Sequence, residues 1–242
     1  MSDSRPTVLV LGSTFPRWDS DTEPRFVESL SLELADTFDV LVLAPHCRCA
    51  ESREVYHRGD RKLEVHRFRY FFEAFETLAY DGGMLSRVRQ NPLRLLLLPF
   101  FLVGQATAIA RLCGRRKVDA IHAHWIVPQG FSVAVLRLLS RGLPPVVVTS
   151  HGGDLYALRG RMLERLKRWV LKRADAVTVV SAAMRDYCNE KGIAPERIIV
   201  QSMGVDLEKK FTPGNSDTPR DGLVFVGRLV EKKGVAYLIE AV

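Results

Sequence analysis

Residues 146–154 read VVVTSHGGD: four β-branched residues, a serine and a histidine, then two glycines and an aspartate. A run that is apolar almost throughout, instead of at every second position, belongs to a strand covered on both faces, the condition of a parallel sheet. The glycines end the run and let the backbone pass close to a ligand. His151 and Asp154 supply hydrogen-bonding side chains at that turn. A plain glycine turn with a capping aspartate accounts for the same residues.

The pattern repeats on both sides. Residues 7–11 (TVLVL), 40–43 (VLVL), 120–124 (AIHAH), 176–180 (AVTVV) and 198–201 read as strands, and 63–68 (LEVHRF) as an alternating one. Between them lie helical periodicities: from Pro24, with Phe26, Val27, Leu30 and Leu34 on one face, then over 129–139, 161–173 and 182–191. Strand–helix alternation predicts an α/β domain, a doubly wound and mostly parallel sheet of Rossmann-like type. In such sheets ligands bind outside the carboxyl ends of the strands. Residues 211–220 (FTPGNSDTPR) have the composition of a linker. After them 223–226 (LVFV), Gly227-Arg228 and a helical 235–242 open a second strand–turn–helix unit. The expected organisation is a Rossmann-like domain over 1–207, a linker over 208–222 and the start of an incomplete second domain over 223–242.

The 242 residues are 47% apolar and 26% charged, with a net charge of +7 and a pI of about 9.4. A basic balance favours anionic partners without choosing among them. Nucleic acid rests on charge alone, since no nucleic-acid motif is present. Cysteines 47, 49, 113 and 188 have no zinc-ribbon spacing, which predicts a reduced, cytoplasmic setting. The apolar run near the start is too short for a signal-peptide core. The longest uncharged stretch, 95–110, contains Pro99, Gly104, Gln105 and Thr107. It falls short of the roughly 20 residues of a spanning helix, but it can lie on a membrane. Residues 92–103, with Tyr70, Phe71, Phe72 and Phe75, are candidates for a lipid-facing surface. Helix 161–173 puts Met162, Leu163, Leu166, Trp169 and Val170 on one face amid basic residues, which suits a helix covering a sheet.

Other residues at strand ends can carry chemistry. The first loop, Gly12-Ser13-Thr14-Phe15-Pro16-Arg17, is not a G-x-G-x-x-G fingerprint. Gly12 still allows close backbone approach, and Arg17 is placed to meet an anion; a plain turn with a surface arginine reads equally well. His122 and His124 project to the same side of their strand. No neighbouring cysteine or carboxylate completes a ligand set, so no metal is expected. His124 and Trp125 are expected to edge the cleft, Trp125 as a stacking platform or a core residue. In 227–234 (GRLVEKKG), Arg228 offers a planar fork and Lys233 a point charge beside the glycine that opens a helix, an arrangement suited to a diphosphate.

Together these pieces resemble the family 4 glycosyltransferases of GT-B fold. The resemblance rests on TFPRWDSDTEPRFVESLSLEL, on DAIHAHW followed by P-x-G, on VVVTSHGGD, on ADAVTVVS, on MGVDLEKKFTP and on LVFVGRLVEKKGVAYLIEAV, in that order. It implies retaining sugar transfer from a nucleotide-diphosphate donor, without metal or other cofactor. The basic charge and the apolar stretch near 92–103, not the resemblance, point to a lipid-linked or polysaccharide acceptor, with peripheral contact to an anionic membrane on its inner face and no nucleic acid. The resemblance implies that His151 is the cleft histidine and that Arg228, Lys233 and Gly12 bind the donor diphosphate; from their places at the strand ends, Arg17, His124, Trp125 and Asp154 are expected to line the acceptor side. Two departures stand out: the first loop has one glycine where the family often has a pair, and the family's E-x7-E glutamates are not among these residues. The resemblance therefore implies an incomplete fragment without useful turnover alone. A GT-B nucleotide-sugar epimerase and a non-catalytic sugar- or acceptor-binding module are the competing readings.

Overall fold

The computed structural model describes residues 5–48, 50–140, 142–193, 198–208, 211–212, 222–227, 229 and 233–242. The chain divides into two compact units, one ending at Gly204 and one over Val205–Val242.

The first unit carries eight strands: β1 (Thr7–Leu11), β2 (Asp39–Pro45), β3 (Arg53–Arg58), β4 (Arg61–Phe68), β5 (Ala120–His124), β6 (Val146–Ser150), β7 (Ala176–Val179) and β8 (Ile198–Val200). They form one sheet in the order β3-β4-β2-β1-β5-β6-β7-β8, parallel throughout except for the β3–β4 pair. The strand order reverses at β1, which pairs with β2 on one side and β5 on the other. The carboxyl ends of β1, β5 and β6 therefore frame the crevice where open α/β sheets hold their ligands.

The expected burial of both faces is present. Leu9, Leu11, Leu41, Leu43, Ile121 and Val148 pack on one side, and Val8, Val10, Val40, Val42, Leu63 and Val65 on the other. Helix α1 (Phe26–Leu34) covers the second face with Val27. After α2 (Met84–Gln90), helices α3 (Leu98–Arg115), α4 (Phe131–Leu139), α6 (Arg161–Leu171) and α7 (Ala182–Glu190) cover the first, through residues such as Phe101, Ile109, Val133, Val170 and Met184. One short turn of helix, α5 (Gly153–Tyr156), precedes α6. Each fully buried aliphatic side chain contributes about 1.5–3 kcal/mol of transfer free energy.

Four differences from the sequence reading have physical causes. β3 was not expected. It is a polar, mostly exposed edge strand joined to β4 by the two-residue turn Gly59-Asp60, and edge strands lack the apolar signature of central ones. Residues 92–103, given no element by the sequence reading, are helical. A 3₁₀ turn at Pro92–Leu97 leads into the 18-residue α3, which buries Phe101, Gln105 and Ile109. On α6, Met162 is 81% exposed, whereas Lys167 is buried and its Nζ donates to Leu155 O (2.7 Å) and Leu158 O (2.8 Å). The charged end of that helix face thus serves the carbonyls at the end of α5. In the second unit, Leu223–Val226 form no strand, because no described residue there offers a pairing partner; Leu223, Val224 and Val226 are exposed. That unit contains helix α8 (Val235–Glu240), opened by Gly234 in the left-handed conformation (φ 68°).

Candidate active site

The site is built where β5 and β6 end. Pairing sets Ala123 beside Val148 and His124 beside Thr149, so the two following turns leave the sheet side by side. At the end of β6, Gly152 takes φ 90°, a conformation that L side chains rarely adopt, and the chain reverses into α5. This places His151 against His124, with His124 Nδ1 and His151 Nε2 2.8 Å apart and the rings stacked at 5.1 Å. Phe26, from the start of α1, lies 4.7 Å from the His151 ring, and Trp125 lies 5.3 Å from it.

The expectation that His122 and His124 share a side is met, with ring centroids 4.3 Å apart. Neither is left free: His122 Nε2 pairs with Thr149 Oγ1 at 2.7 Å, and that hydroxyl meets Thr178 Oγ1. His124 does not edge the cleft; it is fully buried, its ring packed against those of His122, Trp125 and His151. Its Nε2 is buried without a partner. The tautomer that spends the His124 proton in a hydrogen bond carries it on Nδ1 and donates to His151 Nε2. That leaves the His151 proton on Nδ1, which has no protein partner among the described residues.

Burial lowers all three rings, His122 and His151 to about 4, while His124 falls well below its ordinary value with further help from its two neighbours. The triad is neutral at pH 7, so His151 works there as a hydrogen-bonding group and not as a cation. Unfolded histidines take their proton near pH 6.5. Below that pH the unfolded chain binds more protons than the folded one. The triad's contribution to stability is therefore complete above about pH 6.5 and is lost as pH falls toward 4. Unfolding free energies from urea denaturation between neutral pH and about pH 4.5 are expected to fall, by up to roughly 3 kcal/mol for His122 or His151 carried through its full shift. A flat profile would contradict a neutral, buried triad.

Two residues hold the turns in place. Asp154 is buried; its Oδ2 accepts from Ile126 N (2.6 Å) and its Oδ1 from Ser150 Oγ (2.8 Å). It is neither a simple cap nor open to a ligand: it clamps the β5 turn to the β6 turn. With its amide oriented to satisfy both neighbours, Gln129 donates to His124 O (3.0 Å) and accepts from Ser13 N (2.9 Å), tying the first loop to the same cluster. Trp125 sits at φ 76°, a strained value for a bulky residue, with its N donating to Thr149 O (2.7 Å) and its O accepting from Gly130 N (3.1 Å).

Other predicted residues are placed differently. Gly12 is buried, and a Cβ there would lie 3.2 Å from Thr14 O, so the loop itself closes over this glycine. Arg17 is not a free anion-binding side chain. Asp21 holds its fork at 2.8 and 2.9 Å, Asp81 meets it at 3.3 Å, and the rings of Trp18 and Tyr80 flank it at 4.5 and 5.0 Å. Burial pushes the Asp21 carboxyl up, but Arg17 and backbone N–H groups outweigh it and hold the carboxyl down at about 2. Lys233 belongs to the second unit, where its stem approaches Gly227. Arg228 lies outside the described residues, as does Cys49; Cys47, Cys113 and Cys188 are unpaired. Phe26, Gln129 and Ser150 escaped the sequence reading. The first looked like core, and only the P-x-G spacing around Gln129 marked the second.

A mostly parallel, doubly wound sheet of this kind is the framework of the Rossmann-like GT-B glycosyltransferases. Solved structures share that fold. The sucrose-phosphate synthase of Thermosynechococcus elongatus superposes with a TM-score of 0.53 at 14% identity, over 81% of this chain and 89% of that one. The catalytic domain of starch synthase IV from Arabidopsis thaliana, bound to ADP and acarbose, gives 0.54 at 13% identity, over 88% and 54%. The family model for glycosyltransferase family 4 matches residues 24–209, and the chain belongs to that family. An uncharacterized glycosyltransferase of Methanocaldococcus jannaschii, MJ1178, is 31% identical over 126 residues, which are 52% of this chain and 34% of that protein. TuaC of Bacillus subtilis, provisionally named a teichuronic acid biosynthesis glycosyltransferase, is 27% identical over 151 residues, 57% of this chain and 38% of its own length. The matched stretches thus span little more than a third of either relative.

Proposed function

We propose that the protein transfers a sugar from a nucleotide-diphosphate donor to a lipid-linked or polysaccharide acceptor, with retention and without a metal. The observation that carries this reading is the neutral His151, held by His124 at the carboxyl edge of a family 4 sheet. A neutral imidazole with its proton on Nδ1 donates a hydrogen bond to a sugar oxygen without adding charge. Trp125 and Phe26 supply apolar ring surface beside it for the acceptor. His124 and Asp154 act by holding the turns that carry that surface, through the His124 Nδ1 bond to His151 and the Asp154 bond to Ile126, while Arg17 is held within the first loop by Asp21. The first loop at Gly12 would approach the donor. Arg228 and Lys233, in the second unit, would neutralise the diphosphate as the glycosidic bond breaks and charge grows on the leaving group. A cell-envelope product fits the name of the B. subtilis relative, and the acceptor chemistry fits a cytoplasmic enzyme working at the inner membrane face.

The test is calorimetric titration of the full-length protein with UDP- and GDP-sugars, followed by product analysis. Arg228→Ala with Lys233→Ala is expected to weaken donor binding at least about thirtyfold, as charge-assisted hydrogen bonds are worth roughly 1.5–3 kcal/mol each. Unchanged affinity would move the diphosphate elsewhere. A free sugar isomer in place of a glycoside would replace transfer by epimerisation.

A further inference from the structure

The β3–β4 edge of the sheet carries a cluster of cations that the histidine site does not use. Side chains of β4 alternate between the two faces. Leu63 and Val65 join the core on the α1 side, while Phe68 packs against Phe101 of α3. Glu64 and His66 share the face of Phe68, because strand side chains repeat every two residues. Arg53 lies opposite His66 in the antiparallel β3–β4 register and shares that face too. The end of α3 brings Arg111, Leu112 and Arg115 to the same place, followed by Arg116. Together with Arg53 and His66 they line a pocket of about 270 Å³. No residue of the histidine cluster lines it.

The charges around this pocket do not balance. One carboxylate, Glu64, meets the cluster. Its Oε1 accepts from Arg53 Nη2 (2.6 Å) and pairs with His66 Nε2 (2.8 Å), and Arg116 Nη2 reaches both oxygens at 3.0 and 2.9 Å. Burial pushes the Glu64 carboxyl up, but His66, Arg53 and Arg116 outweigh it and hold the group below its ordinary value. Glu64 is thus ionised and its acceptor capacity is spent on these three. Arg111 and Arg115 have no hydrogen-bond or ion-pair partner among the described residues. The local sequence offers none, since no carboxylate stands between Asp81 and Asp119. Four guanidiniums against one carboxylate leave an excess of three positive charges.

Such a cluster costs free energy. Arg111 and Arg115 stand four residues apart on α3, a spacing at which like charges destabilise a helix. The helix dipole favours a cation in the last turn, which accounts for Arg115. It does not account for Arg111, one turn earlier, or for Arg53, which comes from another element and lines the same pocket. An anion in the pocket removes the imbalance.

We propose that this pocket binds a compact, soluble, phosphate-bearing anion with at least two negative charges. Phosphate oxygens match the planar fork of a guanidinium, and a phosphate carries more charge than a single carboxylate. The volume lies at the small end of ligand sites, roughly 300–1,000 Å³, which suits a compact anion and not a whole nucleotide. Glu64 already holds Arg53 and Arg116, so part of the ordering precedes binding. Occupancy of this pocket does not depend on the transfer reaction proposed above.

The test is calorimetric titration of the full-length protein with inorganic pyrophosphate. It is made in the Arg228→Ala, Lys233→Ala background, so that the proposed donor site contributes no heat. Binding is expected to persist in that background and to weaken with added salt. Adding Arg111→Gln with Arg115→Gln puts good helix formers at two exposed positions. It is expected to weaken pyrophosphate binding by at least about thirtyfold. Pyrophosphate is also expected to raise the thermal midpoint of the parent background and not that of the glutamine variant, whose own melting transition shows that it folds. No binding in the donor-site background, or equal binding by the glutamine variant, overturns the proposal. Citrate bound as tightly as pyrophosphate overturns the phosphate assignment. Anionic vesicles bound through Arg111 and Arg115, with pyrophosphate left unbound, would assign the cluster to a lipid headgroup and overturn the soluble ligand.

Discussion

Replacing His151 by alanine in the full-length protein is expected to lower kcat for sugar transfer by about 10²–10³-fold, with donor KM changed far less. The His151 ring lies between Phe26, Trp125 and the stacked His124, and its proton sits on Nδ1 because Nε2 is engaged by His124. A group held this way orients a sugar oxygen in the transition state without reorganising. In the proposed reaction the loss should fall on kcat, because the diphosphate, not this ring, would anchor the donor. His124→Phe separates positioning from contact. It keeps a ring against His151 but removes the 2.8 Å hydrogen bond, so an intermediate loss of roughly tenfold is expected from freed orientation. Activity of His151→Ala within about twofold of the parent, in a folded protein, would remove His151 from the chemistry.

The largest effect of a single substitution on stability is expected at Asp154. Asp154→Ala should cost about 3 kcal/mol in urea denaturation, since it strips the buried Ile126 N–H and Ser150 Oγ of their acceptor at once. The strained Trp125 turn, one residue before Ile126, would then keep its hydrogen bonds to Thr149 and Gly130 but lose the anchor at Ile126. Asp154→Asn is expected to stay within about 1 kcal/mol of the parent. Its amide can accept from Ile126 N and donate to Ser150. Burial raises the Asp154 carboxyl despite the groups that hydrogen-bond to it, so a neutral amide avoids a desolvation cost that the carboxylate carries. If alanine were as stable as asparagine, the clamp would contribute nothing and the turns would be held by packing alone.

The two experiments use residues of unequal visibility. His151 stood out because a histidine beside two glycines follows a strand of β-branched residues, a local signal. Asp154 was visible as a polar residue at the same turn, but its partner Ile126 lies 28 residues away in sequence. Arg17 misled for the same reason. Nothing near it shows that Asp81, 64 residues on, would share its guanidinium with Asp21. Gln129 reaches Ser13 across the sheet crevice, a contact that no window along the chain contains.

By itself the sequence determined the α/β class, seven of the eight strands of the first unit, the turns that end β1, β5 and β6, and membership of a glycosyltransferase family. These follow from local chemistry: β-branched runs favour strands, glycines permit tight turns, and apolar residues at helical spacing cover a sheet. Only the tertiary structure decided that His124 is buried and supports His151, that Arg17 and Asp154 are spent inside the protein, and which side of α3 stays exposed. In strands and helices that are apolar nearly all round, the pattern does not say which face meets the core. That choice is made by packing between elements distant in the chain, where Gly104 meets the backbone of Arg69 and Phe101 and Ile109 fill the space beneath α3.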